Sequence, residues 1–311
     1  MIEAKGLTKE FPGITAVKDV TFAVESGQVI GFLGPNGAGK STTIRMLTGF
    51  LPPTSGTALV AGYDVSRDSL KVRQSIGYLP ELNPLYPDMR VREYLNYRAQ
   101  LKGMDGRSRR LRVEEVVQRC SLTEFSNRII GQLSKGMRQR VGLADSMVHD
   151  PKVLILDEPM IGLDPNQIRE MRQLIVELGQ NKTVLLSSHI LSEIEVTCKR
   201  VVILVKGRVA AQGTTEEIAR TMGTSGRIRL EVVGEGAGVK AALDQMPEVR
   251  RVLWNQKGKL NIYSVETRDG GDIRRELYDV ARAKEWAVQE IAFERLSLEE
   301  AFTRLTEKSA T

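Results

Sequence analysis

The stretch Gly34-Pro35-Asn36-Gly37-Ala38-Gly39-Lys40-Ser41-Thr42 fits the pattern G-x-x-x-x-G-K-[ST] at every fixed position. Its glycines let the backbone bend until its N–H groups converge on phosphate oxygens. The apolar run Val29–Leu33 lies just before it and the helical-looking Ile44–Thr48 just after, the strand–loop–helix setting such a loop requires. A helix starting near Gly39 adds the positive end of its dipole. In that setting Lys40 reaches the β- and γ-phosphates of a nucleotide, and the Ser41 hydroxyl holds Mg²⁺.

Two further stretches carry matching chemistry. Val153-Leu154-Ile155-Leu156-Asp157-Glu158 is an apolar strand that ends in two carboxylates. If it runs beside the phosphate loop, Asp157 joins the Mg²⁺ shell and Glu158 accepts a proton from an attacking water. Leu133-Ser134-Lys135-Gly136-Met137-Arg138-Gln139-Arg140 precedes an apolar-periodic helix. Ser134 suits its N-cap, Gly136 lets the backbone approach a ligand, and the helix start is a second anion site. One phosphate meets both helix starts only if two copies of the chain come together.

The elements that must position these residues follow from patterning. Short branched-apolar segments alternate with helical ones over the first part of the chain, which predicts an α/β fold with a largely parallel sheet. The core strands are expected at Val29–Leu33, Ile76–Leu79, Val153–Leu156, Val184–Ser187 and Val201–Val205, continuous enough to be buried on both faces. Between about residues 88 and 150 the strands give way to helices at Val91–Leu101, Arg109–Arg119 and Met137–His149, a helical subdomain. His149 reads as a helix-end residue favoured by the dipole. The basic run Arg107–Arg112 reads as a solvated helix face, with a contact to a partner or to anionic lipid head groups as the alternative.

The Gly/Ser-rich Met222–Gly226 reads as a linker, dividing a cassette at 1–222 from an accessory domain at 227–311. The accessory domain has a β-α-β-β-α-β pattern of the ferredoxin-like kind: Ile228–Val233, Val239–Met246, Val249–Asn255, Lys259–Val265, Ile273–Lys284 and Ala287–Phe293. A closing helix is expected at Ser297–Thr306.

Composition narrows the partners. The net charge is +6 over 311 residues, yet from residue 224 onward 15 basic residues face 15 acidic ones. A neutral second domain lacks the clustered basic face of a nucleic-acid binder. Cys120 and Cys198 stand alone and suit small buried hydrophobes in a reducing cytosol. The chain shows no secretory leader, and its longest apolar runs, such as Val201–Val205, are too short to span a bilayer. A membrane role would therefore go through a partner.

In order, Gly34–Thr42, Tyr78-Leu79-Pro80-Glu81, Leu133–Met137, Leu156-Asp157-Glu158, Gly162-Leu163-Asp164 and His189 resemble the motif series of ABC transporter ATPases. They match that family's Walker A, Q-loop, signature, Walker B, D-loop and H-switch, and the resemblance covers about residues 2–220. It implies a P-loop cassette with a RecA-like core, an antiparallel β subdomain and a helical subdomain. It further implies ATP and Mg²⁺ as ligands and a dimer with a second ATPase subunit, identical or not. ATP would lie between Walker A of one copy and Ser134, Lys135 and Gly136 of the other, with Asp164 at the junction.

The resemblance also implies that Phe11 stacks on adenine and that His189 hydrogen-bonds the γ-phosphate. A separate membrane permease would dock near Leu82–Tyr97, leaving the protein cytoplasmic and peripheral on the inner face of the cell membrane. Two positions depart from the common pattern: Glu81 stands for Gln, and the signature reads L-S-K-G-M. Both variants, with the tail Leu298–Phe302, resemble exporter-type ATPases of the gliding-motility, drug and polysaccharide branches. Soluble relatives in translation or DNA repair usually carry two cassettes or a long coiled-coil insert, and this chain has neither. A non-hydrolysing regulatory module is disfavoured by the retained Glu158 and His189.

Overall fold

The computed structural model describes residues 1–221, 227–234, 236–268, 270–294 and 302–303. The expected linker at 222–226 lies outside them, and so does the closing helix at 297–306 apart from residues 302–303. The chain divides into two compact units, Met1–Gln212 and a second opening at Gly213.

The first unit runs β1 (Ile2–Phe11), β2 (Ile14–Val24), β3 (Val29–Leu33), α1 (Lys40–Leu47), β4 (Ser55–Val60), β5 (Tyr63–Asp64), α2 (Ser69–Ser75) and β6 (Ile76–Leu79). The helices α3 (Val91–Leu101), α4 (Gly106–Arg119) and α5 (Lys135–Met147) follow. It ends with β7 (Val153–Asp157), α6 (Pro165–Gly179), β8 (Thr183–Ser188), α7 (Leu191–Thr197), β9 (Arg200–Val205) and β10 (Arg208–Gly213).

β1, β2, β4 and β5 form an antiparallel sheet in the order β2-β1-β4-β5. The second sheet is six-stranded, β10-β9-β3-β8-β7-β6, and its five strands from β9 to β6 are parallel. The apolar runs explain that placement: every residue of β7 is buried, as are four of five in β3. Such strands must be covered on both faces, which a parallel sheet with flanking helices provides. Ile44, Met46 and Leu47 of α1 fill the core between the two sheets, against Ile2, Leu7, Val17 and Val60 on one side and Phe32 and Ile155 on the other.

Parallel register fixes where the strands stop. Leu33 pairs with Ser188, Asp157 with Ser187, and Leu79 with Leu156. Four strands therefore end level, and the loops after them share the carboxyl edge where α/β sheets bind ligands.

The helical segment begins earlier than its apolar periodicity suggests, because polar side chains cap the first turns. The Asp105 carboxylate accepts from Arg107 N (3.1 Å) and Ser108 N (3.0 Å), so α4 opens at Gly106. Ser134 Oγ accepts from Met137 N at 3.2 Å and opens α5 at Lys135. Gly77 lets α5 lie close to β6: a Cβ there would sit 2.0 Å from the Ser146 carbonyl oxygen. Backbone cannot yield as a side-chain tip would, so Gly77→Ala is expected to destabilise the protein by about 1–3 kcal/mol, read as a lower denaturant midpoint. An unchanged midpoint would mean that α5 shifts freely on the sheet.

The second unit starts with α8 (Thr215–Thr221), then β11 (Arg227–Val233), α9 (Gly236–Asp244), β12 (Val249–Lys257), β13 (Leu260–Thr267), α10 (Arg274–Ala283) and β14 (Ala287–Glu294). Its sheet has the order β12-β13-β11-β14 with every neighbouring pair antiparallel, the ferredoxin-like arrangement. Strict alternation along β13 (Leu260–Thr267) sends Tyr263 and Val265 into a core with Ile228, Leu230 and Leu277. Among the described residues no helix is long and apolar enough to cross a membrane.

Candidate active site

The loop after β3 is built by its glycines. Gly37 and Gly39 hold φ of 79° and 97°, a left-handed backbone other residues rarely adopt. A Cβ on Gly39 would also stand 2.7 Å from the Ala16 carbonyl oxygen. As the N-cap of α1, Gly39 has no side chain to satisfy the first helical amides. Those amides are left to an anion, reinforced by the helix dipole.

Lys40 is buried, and its Nζ donates to the carbonyls of Gly34 (2.7 Å) and Pro35 (3.3 Å). Glu158 Oε1 lies 3.9 Å from the same nitrogen. Burial lowers the Lys40 pKa from its ordinary value, while Glu158, Asp157 and Glu81 favour its charged form.

Asp157, at the end of β7, accepts from Ser187 Oγ at 2.6 Å, and the Ser41 hydroxyl lies near enough to favour its charged form. Burial pushes its pKa up, and the Ser187 and Ser41 hydroxyls pull it down. The structure thus joins Ser41 to Asp157, with Glu81 close enough to raise the Asp157 pKa further. A hydroxyl and carboxylates are hard oxygen donors of the kind Mg²⁺ takes alongside water and phosphate oxygens. Among the described residues no group of three or more His, Cys, Asp or Glu could hold a metal by itself.

Glu158 adopts φ 51° and is almost wholly buried. A non-glycine residue in that region costs about 1–3 kcal/mol and persists where its surroundings enforce it. Here the Glu158 amide donates to Ser187 Oγ at 2.9 Å, and its Oε2 lies 2.9 Å from His189 Nδ1. Ser187 therefore holds the Asp157 carboxylate and the Glu158 backbone in place, a role sequence reading missed. Its only signal was a serine ending an apolar strand.

The phosphate loop, Glu158 and His189 face one cleft of about 750 Å³, while Asp157 and Ser187 lie outside its lining. Pro35, Asn36, Gly37, Gly39, Lys40, Ser41, Thr42, Glu81, Glu158 and His189 all line it; Gly34, packed against Leu204 O, and the buried Ala38 do not. Phe11 does not line it. It sits at the β1–β2 turn paired with Ile14, half-exposed, with Lys9 Nζ 5.4 Å from its ring centroid. The nearby wall is Ile14, Thr15 and Ala16, and Lys206 and Gly207 also contribute.

Ser134, Lys135, Gly136 and Asp164 stand apart from this cleft. Within the chain the start of α5 lies against Gly162 and Gln167, on either side of Asp164 in sequence. A Cβ at Gly162 would lie 2.0 Å from Lys135 Nζ, and one at Gly136 would lie 2.4 Å from the Gln167 side chain. Asp164 caps α6, accepting from Asn166 N and Gln167 N at 3.0 Å each.

His149 corrects an expectation. It lies past the end of α5, and its Nε2 is 2.9 Å from the Ile76 carbonyl oxygen. Burial, followed by the nearby Lys102 ammonium, pushes its pKa down to about 4. The ring is neutral, so no cation meets the helix dipole there. The unfolded chain takes up a proton below about pH 6.5 that the folded ring refuses until about pH 4, so stability falls as pH drops through that window. His149→Gln is expected to reduce the loss between pH 7 and pH 5 by about 2 kcal/mol, measured by denaturant unfolding. An unchanged pH slope would show that the ring titrates normally.

The sequence model of the ABC transporter family matches residues 17–161. The linearmycin resistance ATP-binding protein LnrL of Bacillus subtilis is 33% identical, over 81% of this chain and 81% of that protein. The chain belongs to the ABC transporter ATP-binding proteins. As an ABC ATPase it binds and hydrolyses ATP. The probable multidrug ABC transporter ATP-binding protein YbhF of Escherichia coli is 39% identical over 71% of this chain and 39% of its own length. Among solved structures, a dimeric ATP-binding cassette in a post-hydrolysis state with ADP and Pi is similar to this ABC ATPase. It has a TM-score of 0.64 and 26% identity, and the match covers 69% of this chain and 98% of that one.

Proposed function

We propose that this ABC ATPase powers export through a separate membrane permease, working as a dimer that encloses ATP and Mg²⁺ between its copies. The observation that carries the reading is the separation of two half-sites in one chain. Lys40, Ser41, Glu158 and His189 line one cleft, with Asp157 buried next to Glu158 at the end of β7, while the capped start of α5 with Ser134, Lys135 and Gly136 lies elsewhere. Both halves are intact in this chain, so two copies suffice to complete a site.

Bound Mg²⁺ would neutralise phosphate charge, held by Ser41 and Asp157 with Glu81 nearby. Lys40 holds the terminal phosphates, and Glu158 accepts the proton of the attacking water. His189 orients Glu158 through its Nδ1 and turns its other face to the γ-phosphate. Ile14, Thr15 and Ala16 border the adenine end, and Phe11 pairs with Ile14 from outside the cleft lining.

The permease reading draws on a groove of about 610 Å³ that includes Phe50, Tyr78, Leu79, Pro80, Leu82 and Arg98. Phe50 and Leu82 are 75% and 86% exposed there, apolar surface that a partner helix would cover. The resistance and multidrug roles in the relatives' names support export.

Co-purification from membranes with a multi-span protein, and faster phosphate release in its presence, would test this reading. Hydrolysis that no membrane fraction alters, with no such partner recovered, would overturn the transport role.

A further inference from the structure

The turn between β9 and β10 is Lys206–Gly207, with φ of 48° and 76°. Two successive positive φ values make a type I′ hairpin, whose first position favours Asn, Asp or Gly because a longer side chain is strained there. A lysine stands in that position. The turn is also firmly tied. Gly207 N donates to Ala38 O at 3.0 Å, Gly207 O accepts from Lys18 N at 2.7 Å, and a Cβ on Gly207 would meet Ala16 O at 2.8 Å. Lys206 is exposed and lines the cleft with Ile14, Thr15 and Ala16.

Topology sets which part of a ligand it meets. In the sheet order β10-β9-β3-β8-β7-β6, the phosphate loop follows β3. Glu158 and His189 follow β7 and β8 on one side of it, and Lys206 follows β9 on the other. A nucleotide with its terminal phosphate toward Glu158 therefore extends its sugar end toward Lys206. We infer that Lys206 is a nucleotide-binding residue whose ammonium takes the sugar-proximal phosphate. This rests on the cleft being the nucleotide site. Strain retained at a ligand-facing turn accords with function, since a better turn former would lose the charge.

The test uses Lys206→Asn and Lys206→Gly in the full chain, both suited to the turn, with Lys206→Arg as the charge-keeping variant. Dissociation constants for ATP and for ADP are measured at low and moderate salt, alongside thermal unfolding. Asn and Gly should raise both constants by the same factor, about five- to tenfold, and flatten their salt dependence. Their melting temperatures should be equal to or above the parent's, and Arg should bind like the parent. Parent-like affinity in the Asn and Gly variants would overturn the inference. So would a loss confined to ATP, or a loss accompanied by lower melting temperatures in both. If the unaltered protein bound neither nucleotide, the reading of the cleft itself would fail.

Discussion

Replacing Glu158 with Gln is expected to cut steady-state phosphate release by about 10²- to 10⁴-fold while ATP stays bound. The amide has the carboxylate's shape and keeps a polar contact with His189 Nδ1, which lies 2.9 Å from Glu158 Oε2. It cannot accept the proton of an attacking water. Removing the negative charge 3.9 Å from Lys40 Nζ also leaves more of that ammonium's field to the phosphates. Binding should therefore hold or tighten as turnover stops. Gel filtration with ATP should show a species of twice the chain mass carrying intact ATP. Parent-like phosphate release would remove Glu158 from the base role.

Lys40→Ala should act one step earlier, lowering affinity for ATP by about 10²-fold, the scale of lost charge-assisted bonds to phosphate in a sheltered site. The Lys40 ammonium sits at the mouth of the loop, held by Gly34 O at 2.7 Å and Pro35 O at 3.3 Å. Removing it also takes away the cation nearest the buried Glu158. Lys40→Met, which keeps the packing of the stem, separates lost binding from lost stability. Calorimetric titration with ATP reads the affinity and thermal unfolding reads the fold. Parent-like affinity in both variants would show that the backbone amides alone hold the phosphates.

The part of the site legible in the sequence is what lies within one strand and the loop after it. Val29–Leu33 and Ile76–Leu79 could be read to the residue because a strand buried on both faces is continuously apolar. The same logic exposed Asp157 and Glu158 as polar residues at such a strand's end. What stayed hidden depends on pairings across long stretches of chain. Ser187 meets Asp157 only because β7 and β8 run parallel in register. Ala16 meets Gly39 and Gly207 only once β2 and the β9–β10 turn fold over the phosphate loop.

His149 was misread for the same reason. Its place after a helix is visible in the sequence, but its burial near β6 is not, and burial decides its charge. The start of α4 was read late because capping by Asp105 adds a turn with no apolar period, whereas Val91 and the Ser134 cap of α5 were legible. The Gly/Ser-rich stretch at 222–226 drew the boundary there, whereas the first compact unit ends at Gln212.

Mixing two inactive variants tests most directly whether the site is shared between copies. Lys40→Ala damages the cleft half and leaves the start of α5 intact. Ser134→Arg blocks the α5 half, at a capping cost of about 1 kcal/mol, and leaves the cleft intact. Each variant alone should release almost no phosphate. In a mixture, heterodimers bring the intact cleft of one chain to the intact α5 start of the other, and phosphate release should reappear in proportion to the heterodimer formed. Continued silence of the mixture, with both variants folded and dimerising, would contradict a site completed by a second copy.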